Sequence, residues 1–371
     1  MFDLYALIVP SFTIHLGNIK RSNIDLTLLF TFLMSFLLVS LLVVVSTAIY
    51  LYFSGPKLPE DIDRTIDGIF QSDLPEFLKG ETGYIYPENT SVWYESIGKG
   101  GSTKGAILLF MGIANDAFGW PQEFIDRLVG SGYQVIRYDY RGTGMSDWMP
   151  DWKRSPYSLT DLALDAKQIL EVLQITKAHL VGVSMGGMIA QEFAIHFPQK
   201  ALTLTSIMSS GNILDKNTKG LSMKIIFDLI KIGLKYGIFP TERQIIKMHI
   251  AARIILRGDA DYRIDVKGIA EQVLYNLRKR NGYNPHVSAQ HKEAVRRSGS
   301  RYERLKQLKI PSLVIHGKND PFIPIDHSKK LASVLSNTKT KWFANMGHDI
   351  PFSLYDALIA ELINNFERNP N

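Results

Sequence analysis

The sequence predicts an α/β fold in which a mainly parallel central sheet is flanked by helices, carries a helical insertion and is preceded by a transmembrane helix. Short apolar, β-branched runs alternate with helical patterns over residues 106–208 and again over 312–366. Only helical patterns occur over residues 211–308, and residues 26–53 contain no charged side chain. Alternation of strand and helix at this spacing is typical of βαβ units and therefore of a parallel sheet.

The uncharged stretch at residues 26–53 is longer than the ~20 residues that cross a bilayer. Tyr50 and Tyr52 lie near its end, as expected at a membrane interface. A buried core helix would show a polar face, and a signal peptide would have a shorter apolar region followed by a cleavage site. We therefore expect a retained single-pass anchor.

The charges that flank this stretch are nearly balanced, with Lys20 and Arg21 before it and Lys57 and Arg64 after it. The pair directly before the stretch favours an N-terminus inside and a C-terminal domain outside the cytoplasm. The chain is thus predicted to consist of an N-terminal segment (1–25), a transmembrane anchor (26–53), a connector with a possible short helix (54–82), a core (83–210 and 309–371) and a helical cap (211–308).

Within the core, a hairpin is predicted first, from turn-forming residues between two short runs at 84–86 and 91–95. The apolar runs then predict strands at 106–111, 133–138, 178–183, 201–208, 312–317 and 341–344. Helical spacing predicts helices at 121–130, 159–173, 185–197, 326–335 and 353–366.

The amino-acid composition excludes several classes of function. Hydrophobic residues make up 46% of the 371 residues, which is enough for a sizeable core. The chain has no cysteine, so disulfides, zinc–thiolate sites and a cysteine nucleophile are excluded. The net charge is +6, and residues 211–306 hold 20 Lys and Arg against 9 Asp and Glu. No nucleic-acid motif accompanies this excess, so a nucleic-acid partner is not predicted.

A serine between two glycines, Ser184 in the sequence Gly-Val-Ser-Met-Gly, lies where a predicted strand meets a predicted helix. Such a tight turn crowds the backbone, needs residues without a side chain on both sides, and exposes the serine hydroxyl above the sheet. Gly-rich turns also hold serine for turn chemistry alone. The choice between the two interpretations depends on whether a base and an acid are present.

A serine hydroxyl becomes nucleophilic only beside a base that is itself oriented by an acid. In parallel sheets these groups follow later strands in the order serine, acid, histidine. Asp320 follows the strand at 312–317, and His348 follows the last strand. His316 competes as the base but lies at the end of a strand and is expected to be structural. Asp349 competes as the acid and is expected to be solvated.

The tetrahedral intermediate of acyl transfer needs two backbone N–H groups directed at its oxyanion. Met185 directly follows the serine and is predicted to supply one. Ile113, in the glycine-containing loop after the strand at 106–111, is predicted to supply the other. A further turn, Asp-Tyr-Arg-Gly-Thr-Gly-Met-Ser-Asp at 139–147, lacks the third glycine and the lysine of a phosphate loop. It is predicted to be structural.

Together these residues resemble the α/β-hydrolase superfamily over about residues 91–366. The resemblance is carried by the serine turn, the Asp-x-Arg-Gly-x-Gly-x-Ser turn, the Gly-x-x-Asp loop at 317–320 and the Gly-His pair at 347–348. Met-Gly at 111–112, Gly-Trp-Pro-Gln-Glu-Phe at 119–124 and Val-Ile-Arg-Tyr-Asp at 135–139 are similar to the branch that contains the aclacinomycin methylesterases. The resemblance implies carboxylic ester hydrolysis without a cofactor or metal, with nucleophile, acid and base at Ser184, Asp320 and His348.

The predicted function is therefore a membrane-anchored serine hydrolase of carboxylic esters, acting on a small-molecule or lipid-like substrate. Two alternatives stay open. An acyltransferase or a lipase acting on membrane-derived lipid would use the same triad. A non-catalytic receptor could keep the same scaffold. Such proteins often lose a triad residue or a glycine of the serine turn, and this chain has lost neither.

Overall fold

The computed structural model describes residues 26–101, 104–238 and 240–369. The predicted N-terminal segment 1–25, with Lys20 and Arg21, lies outside the described residues. The chain divides into two compact units, residues 1–54 and 55–371.

In the first unit, the uncharged stretch forms one helix, α1, over Leu26–Phe53. Its Thr27–Tyr50 part has a mean hydropathy of 2.9 and none of its most apolar window is buried. The helix is therefore long and apolar enough to cross a membrane, a property that it shares with signal sequences. It is a candidate transmembrane segment.

The second unit contains an eight-stranded sheet in the order β1-β2-β4-β3-β5-β6-β7-β8. The β1–β2 and β2–β4 pairs are antiparallel, and all later pairs are parallel. The strands are β1 (Glu81–Ile85), β2 (Val92–Ile97), β3 (Ala106–Phe110), β4 (Gln134–Tyr138), β5 (Ala178–Val183), β6 (Ala201–Ile207), β7 (Ser312–Gly317) and β8 (Thr338–Phe343). The predicted mainly parallel sheet is confirmed.

Strand β8 begins three residues before the predicted position. Its first part alternates threonine and lysine, and two of these four side chains are exposed and two are half-buried, because β8 is an edge strand. Apolar patterning marks only the buried end of such a strand. The hydrophobic signal therefore starts later than the strand itself.

Helices cover both faces of the sheet. On one face, α4 (Leu159–Val172) and α5 (Met185–His196) pack on a core that includes Leu108 and Leu180. On the other face, α3 (Gln122–Gly130) and α12 (Tyr355–Phe366) pack on a core that includes Ile107 and Val181. Neighbouring strand residues therefore point to opposite layers, as pleating requires. Two further helices are α10 (Tyr302–Leu305) and α11 (Ile325–Val334).

Between β6 and α10 lie four longer helices, namely α6 (Met223–Gly237), α7 (Glu242–Arg257), α8 (Val266–Lys279) and α9 (Val287–Ser298). Helices α7 and α8 share a separate apolar cluster with α2 (Ile62–Gln71), which lies in the predicted connector. Helix α2 buries Ile62, Ile66 and Ile69 in this cluster. The region predicted as a polar connector thus contains an amphipathic helix that packs on the helical segment.

Candidate active site

Ser184 occupies a strained turn between β5 and α5. Its backbone has φ 55° and ψ −120°, a left-handed region that costs a non-glycine residue of order 1–3 kcal/mol. The turn is held by two hydrogen bonds, in which Ser184 N–H donates to Ile207 O at 2.9 Å and the Ser209 hydroxyl donates to Ser184 O at 2.6 Å. The strain is therefore maintained by strands and loops on both sides.

The glycines that flank Ser184 are required by close backbone approach. A Cβ at Gly182 would overlap the carbonyl oxygen of Gly186 and lie 2.6 Å from the amide of Gly187. A Cβ at Gly186 would overlap Phe110 O and lie 2.5 Å from Met111 O. The spacing seen in the sequence thus follows from packing of the turn against itself and against the end of β3.

The structure brings the three separated residues Ser184, His348 and Asp320 together. His348 Nε2 lies 3.0 Å from Ser184 Oγ, and His348 Nδ1 lies 2.7 Å from Asp320 Oδ2. Both distances are within hydrogen-bond range. His348 is only 9% exposed and Ser184 6% exposed. This arrangement allows a proton to pass from the hydroxyl to the imidazole while the carboxylate orients the ring.

The environment of Asp320 keeps its carboxylate ionised. Burial by itself would raise the pKa of Asp320, but the charge and hydrogen bond of His348, with a smaller contribution from His316, lower it below the ordinary value. The second oxygen, Oδ1, accepts hydrogen bonds from the amides of Phe322 at 2.8 Å and Ile323 at 2.9 Å. The acid is therefore fixed in position and charge.

His316, the competing base, is fully buried beside the same carboxylate. Its Nε2 lies 2.9 Å from Ile323 O and 3.3 Å from Asp320 Oδ2, and its Nδ1 lies 2.7 Å from Ser328 Oγ. Burial lowers the pKa of His316. With both ring nitrogens in internal contacts, His316 supports Asp320 and the loop that carries it.

One predicted oxyanion donor directly follows Ser184 in the chain, and the other lies in the loop after β3. Met185 begins helix α5, where N–H groups have no intrahelical acceptor. Ile113 follows Gly112, at which a Cβ would lie 3.6 Å from Ser184 Cβ. Within the described residues, neither amide donates to a backbone carbonyl. Both N–H groups are thus available to an acceptor beside the hydroxyl.

Comparison with known proteins assigns the chain to a family. The sequence model of the family described as "Serine aminopeptidase, S33" matches residues 101–353. The chain belongs to this α/β-hydrolase family. The fold of the hydrolase is similar to that of an esterase from Exiguobacterium antarcticum, with a TM-score of 0.61 at 19% identity over 76% of this chain and 98% of that one.

Two relatives bear on the carboxylesterase-type resemblance. The hydrolase is 27% identical over 293 residues to a rhodomycin D methylesterase from Streptomyces sp. (strain C5), covering 76% of this chain and 96% of that protein. It is 30% identical to a 2-hydroxy-6-oxononadienedioate/2-hydroxy-6-oxononatrienedioate hydrolase from Paraburkholderia phymatum, covering 67% of this chain and 82% of that protein. The predicted superfamily and its carboxylesterase type are confirmed.

His291, on α9, contacts the loop that carries Ile113. Its Nδ1 accepts a hydrogen bond from Ala114 N–H at 3.1 Å, and its Nε2 lies 3.4 Å from Arg141 O. Burial lowers the pKa of His291 to about 4, so the ring is neutral at pH 7 and Nδ1 is free to accept. Ala114 has φ 59°. The local sequence of His291 gives no indication of a contact 177 residues away, so this residue could not be selected from the sequence.

Asp349 is also placed differently from the prediction. Its carboxylate is 12% exposed and pairs with Arg253 of α7, so it is not a solvated side chain. Beside it, His348 N–H donates to Leu256 O, at the end of the same helix, at 2.8 Å. The backbone of Gly347 packs against the last carbonyls of α7. Helix α7 therefore supports the loop that carries His348.

The turn at 139–147 is structural, as its missing lysine and third glycine predicted. Asp139 Oδ1 accepts from Ala117 N–H at 2.9 Å and Oδ2 accepts from Met145 N–H at 2.8 Å. Its carboxylate also pairs with Arg280, which is 4% exposed. Arg141 forms a two-point pair with Asp165, with both N–O distances at 2.8 Å. The turn thus connects the sheet to the helices around it.

A small cleft, with a cavity volume of about 60 Å³, lies beside these loops. Its lining includes Ala114 from the loop after β3 and Arg253 from α7, but not Ser184. Apolar residues of α8 and the carboxamide of Asn276 complete one wall, and Asn276 Oδ1 has no hydrogen-bond partner among the described residues. The walls of this small cleft thus combine apolar side chains with one hydrogen-bond acceptor that has no partner in the described part of the chain. The described residues contain no group of three or more possible metal ligands.

Proposed function

We propose that the hydrolase is a membrane-anchored serine esterase that cleaves carboxylic esters through an acyl-enzyme on Ser184. The observation that carries this proposal is the continuous hydrogen-bond chain from Ser184 Oγ through His348 to Asp320, at 3.0 and 2.7 Å. A structural serine would need neither the strained backbone nor a histidine held by a buried carboxylate.

In the first step, Ser184 Oγ attacks the acyl carbon while His348 Nε2 removes its proton. The negative charge on the former carbonyl oxygen is stabilised by the N–H groups of Ile113 and Met185. His348 then returns the proton to the leaving alcohol. Water repeats the sequence on the acyl-enzyme and releases the acid. Asp320 holds the imidazole with Nδ1 protonated and stabilises the cation that forms twice in each cycle.

The proposed substrate is a small-molecule carboxylic ester, and the methylesterase relative supports this choice. We further propose that residues 211–308 act as the cap over residues 83–210 and 309–371. The contacts of α7 with the His348 loop and of α9 with the Ile113 loop support this division.

Substitution of Ser184 with alanine tests the chemistry. The detergent-solubilised S184A variant should lose hydrolysis of short p-nitrophenyl esters and labelling by a fluorophosphonate probe. The exposed Ser333→Ala variant is the matched control and should retain both. Activity profiling of the wild type against esters of graded chain length, lipids included, then defines the substrate. Retained hydrolysis in folded S184A would refute the assignment.

The membrane part of the proposal is that α1 is a retained anchor and that residues 55–371 face away from the cytoplasm. The length and hydropathy of α1 support anchoring, and the flanking lysine and arginine support the orientation. Protease added to intact cells should digest the C-terminal unit. Protection in intact cells, with digestion after lysis, would contradict the orientation, and release of the whole chain by carbonate would contradict the anchor.

A further inference from the structure

Helix α6 carries an apolar stripe on its outer face. The stripe consists of side chains that are 39–59% exposed, namely Met223, Phe227, Ile230, Leu234 and Ile238. At 3.6 residues per turn these positions fall within an arc of about 80°. A surface helix normally buries its apolar stripe and exposes its polar face. This stripe is therefore an unexplained apolar surface.

The same helix already has a buried side that holds it on the protein. Ile225 and Ile232 are 7% and 3% exposed, and α6 packs against α7. Their positions along the helix lie opposite the stripe. The helix thus has two apolar faces, and only one of them is needed for its attachment. Exposing five large apolar side chains in one row has a cost in solubility unless another phase covers them.

Lysines border the stripe on one side. Lys224, Lys231 and Lys235 belong to α6 itself, and Lys219 precedes it with an 80% exposed side chain. Asp228 is the only acidic residue of the helix, and it pairs with Lys224 and Lys231 at 3.3 and 3.0 Å. Helix α6 therefore combines an apolar face with a net positive border. This combination suits an interface of apolar chains and anionic headgroups.

We propose that the outer face of α6 inserts into the headgroup region of an anionic lipid bilayer. Five exposed apolar residues provide the buried area, and the lysine border provides attraction to anionic lipid. A second copy of the chain is the competing occupant. It is disfavoured because two such faces would bring two lysine borders together. Insertion of α6 into a bilayer does not depend on the proposed ester chemistry.

The absence of cysteine allows a direct test on the full chain. Single-cysteine variants Ile230→Cys, in the stripe, and Val172→Cys, on α4, start from similar exposures of 50% and 56%. Each is labelled with an environment-sensitive fluorophore and reconstituted into vesicles that contain phosphatidylserine and brominated lipid. We expect brominated lipid to quench the probe at position 230 and to leave the probe at 172 unaffected.

Removing the charge of the lysines tests their contribution to membrane docking. Replacing Lys224, Lys231 and Lys235 with glutamine should weaken docking by about fivefold per lysine in anionic vesicles and hardly at all in neutral ones. Equal quenching at 230 and 172, or none at 230, would overturn the proposal. A shielded probe at 230 that brominated lipid does not quench, and that becomes exposed on dilution of the protein in the bilayer, would assign the stripe to a second copy and also overturn it. Thermal unfolding of each variant confirms that it is folded.

Discussion

Replacing Gly347 with alanine tests whether helix α7 sets the position of His348. A Cβ at Gly347 would overlap Arg257 O and lie 2.6 Å from Leu256 O, whereas an ordinary contact begins at 3.4 Å. Both oxygens belong to the backbone at the end of α7 and cannot rotate away. The His348 loop, which also donates an N–H to Leu256 O, would have to move by about 1 Å.

A displacement of this size is large compared with the geometry of proton transfer. His348 Nε2 is 3.0 Å from Ser184 Oγ, and a further 1 Å takes the pair out of hydrogen-bond range. Misplacement by about 1 Å costs roughly 100-fold in rate, or about 2.7 kcal/mol of transition-state stabilisation. Because the substitution moves the proposed base and leaves the proposed nucleophile and oxyanion donors unchanged, the loss should be in kcat with KM nearly unchanged.

The assay is steady-state hydrolysis of a short p-nitrophenyl ester by detergent-solubilised protein, together with the rate of fluorophosphonate labelling. Gly130→Ala is the matched control, because no atom lies within 4 Å of a Cβ at that position. It should behave as the wild type. If folded G347A kept a kcat within a factor of about two of wild type, α7 would not position the histidine, and the inferred role of the cap in catalysis would be wrong.

Three further predictions follow from the same contacts. Asp320→Asn should lower kcat by a factor of about 10⁴ with little change in thermal stability, because the amide no longer favours a proton on Nδ1 of His348. A decrease in kcat of less than tenfold would contradict the proposed role of Asp320 as the acid. His291→Ala should lower kcat about tenfold and weaken the binding of a boronate transition-state analogue in parallel, because the Ala114 amide loses its acceptor. A loss of thermal stability without these two effects would refute this positioning role. Since burial lowers the pKa of His179 and of His291 to about 4, the unfolded chain binds more protons between about pH 4 and 6.5, so the free energy of unfolding should fall on acidification through that window by up to roughly 3 kcal/mol per histidine. Measurement of thermal unfolding as a function of pH checks this prediction, and the free energy of unfolding of His291→Ala should depend less steeply on pH.

The parts of the site that follow strand ends could be predicted from the sequence. Ser184, Asp320 and His348 each come directly after an apolar run, and parallel strands deliver their following loops to one edge of the sheet. The sequence therefore indicated which residues would meet. Their catalytic roles are a proposal that the hydrogen bonds support. The sheet itself could be predicted for the same reason, since each buried strand leaves an apolar run in the sequence.

The supporting contacts could not be predicted, because they depend on how the helices of residues 211–308 pack. His291 reaches Ala114 across 177 residues, and Arg253 reaches Asp349 across 96. The contact of Leu256 with the histidine loop uses a backbone carbonyl, which any residue type supplies. Helical periodicity identifies a buried face but not its partner. Asp349 was therefore predicted as solvated, although Arg253 pairs with it.

Helix α2 changes how the connector should be understood. Ile62, Ile66 and Ile69 are at most 5% exposed and pack in one cluster with α7 and α8. Burial of each isoleucine contributes about 2 kcal/mol, so the three together are comparable with the 5–15 kcal/mol that stabilises a typical domain. Arg243 of α7 also pairs with Asp63 and Asp67 of α2.

The helix that supports His348 is therefore itself held by residues near the end of the predicted anchor. Ile246 and Ile250 of α7 are fully buried and belong to the same apolar cluster as the isoleucines of α2. Because the C-terminal end of α7 contacts the loop of the histidine, loosening this helix would reach the proposed active site through a single element. Residues 62–71 thus belong energetically to the same folded unit as the proposed active site.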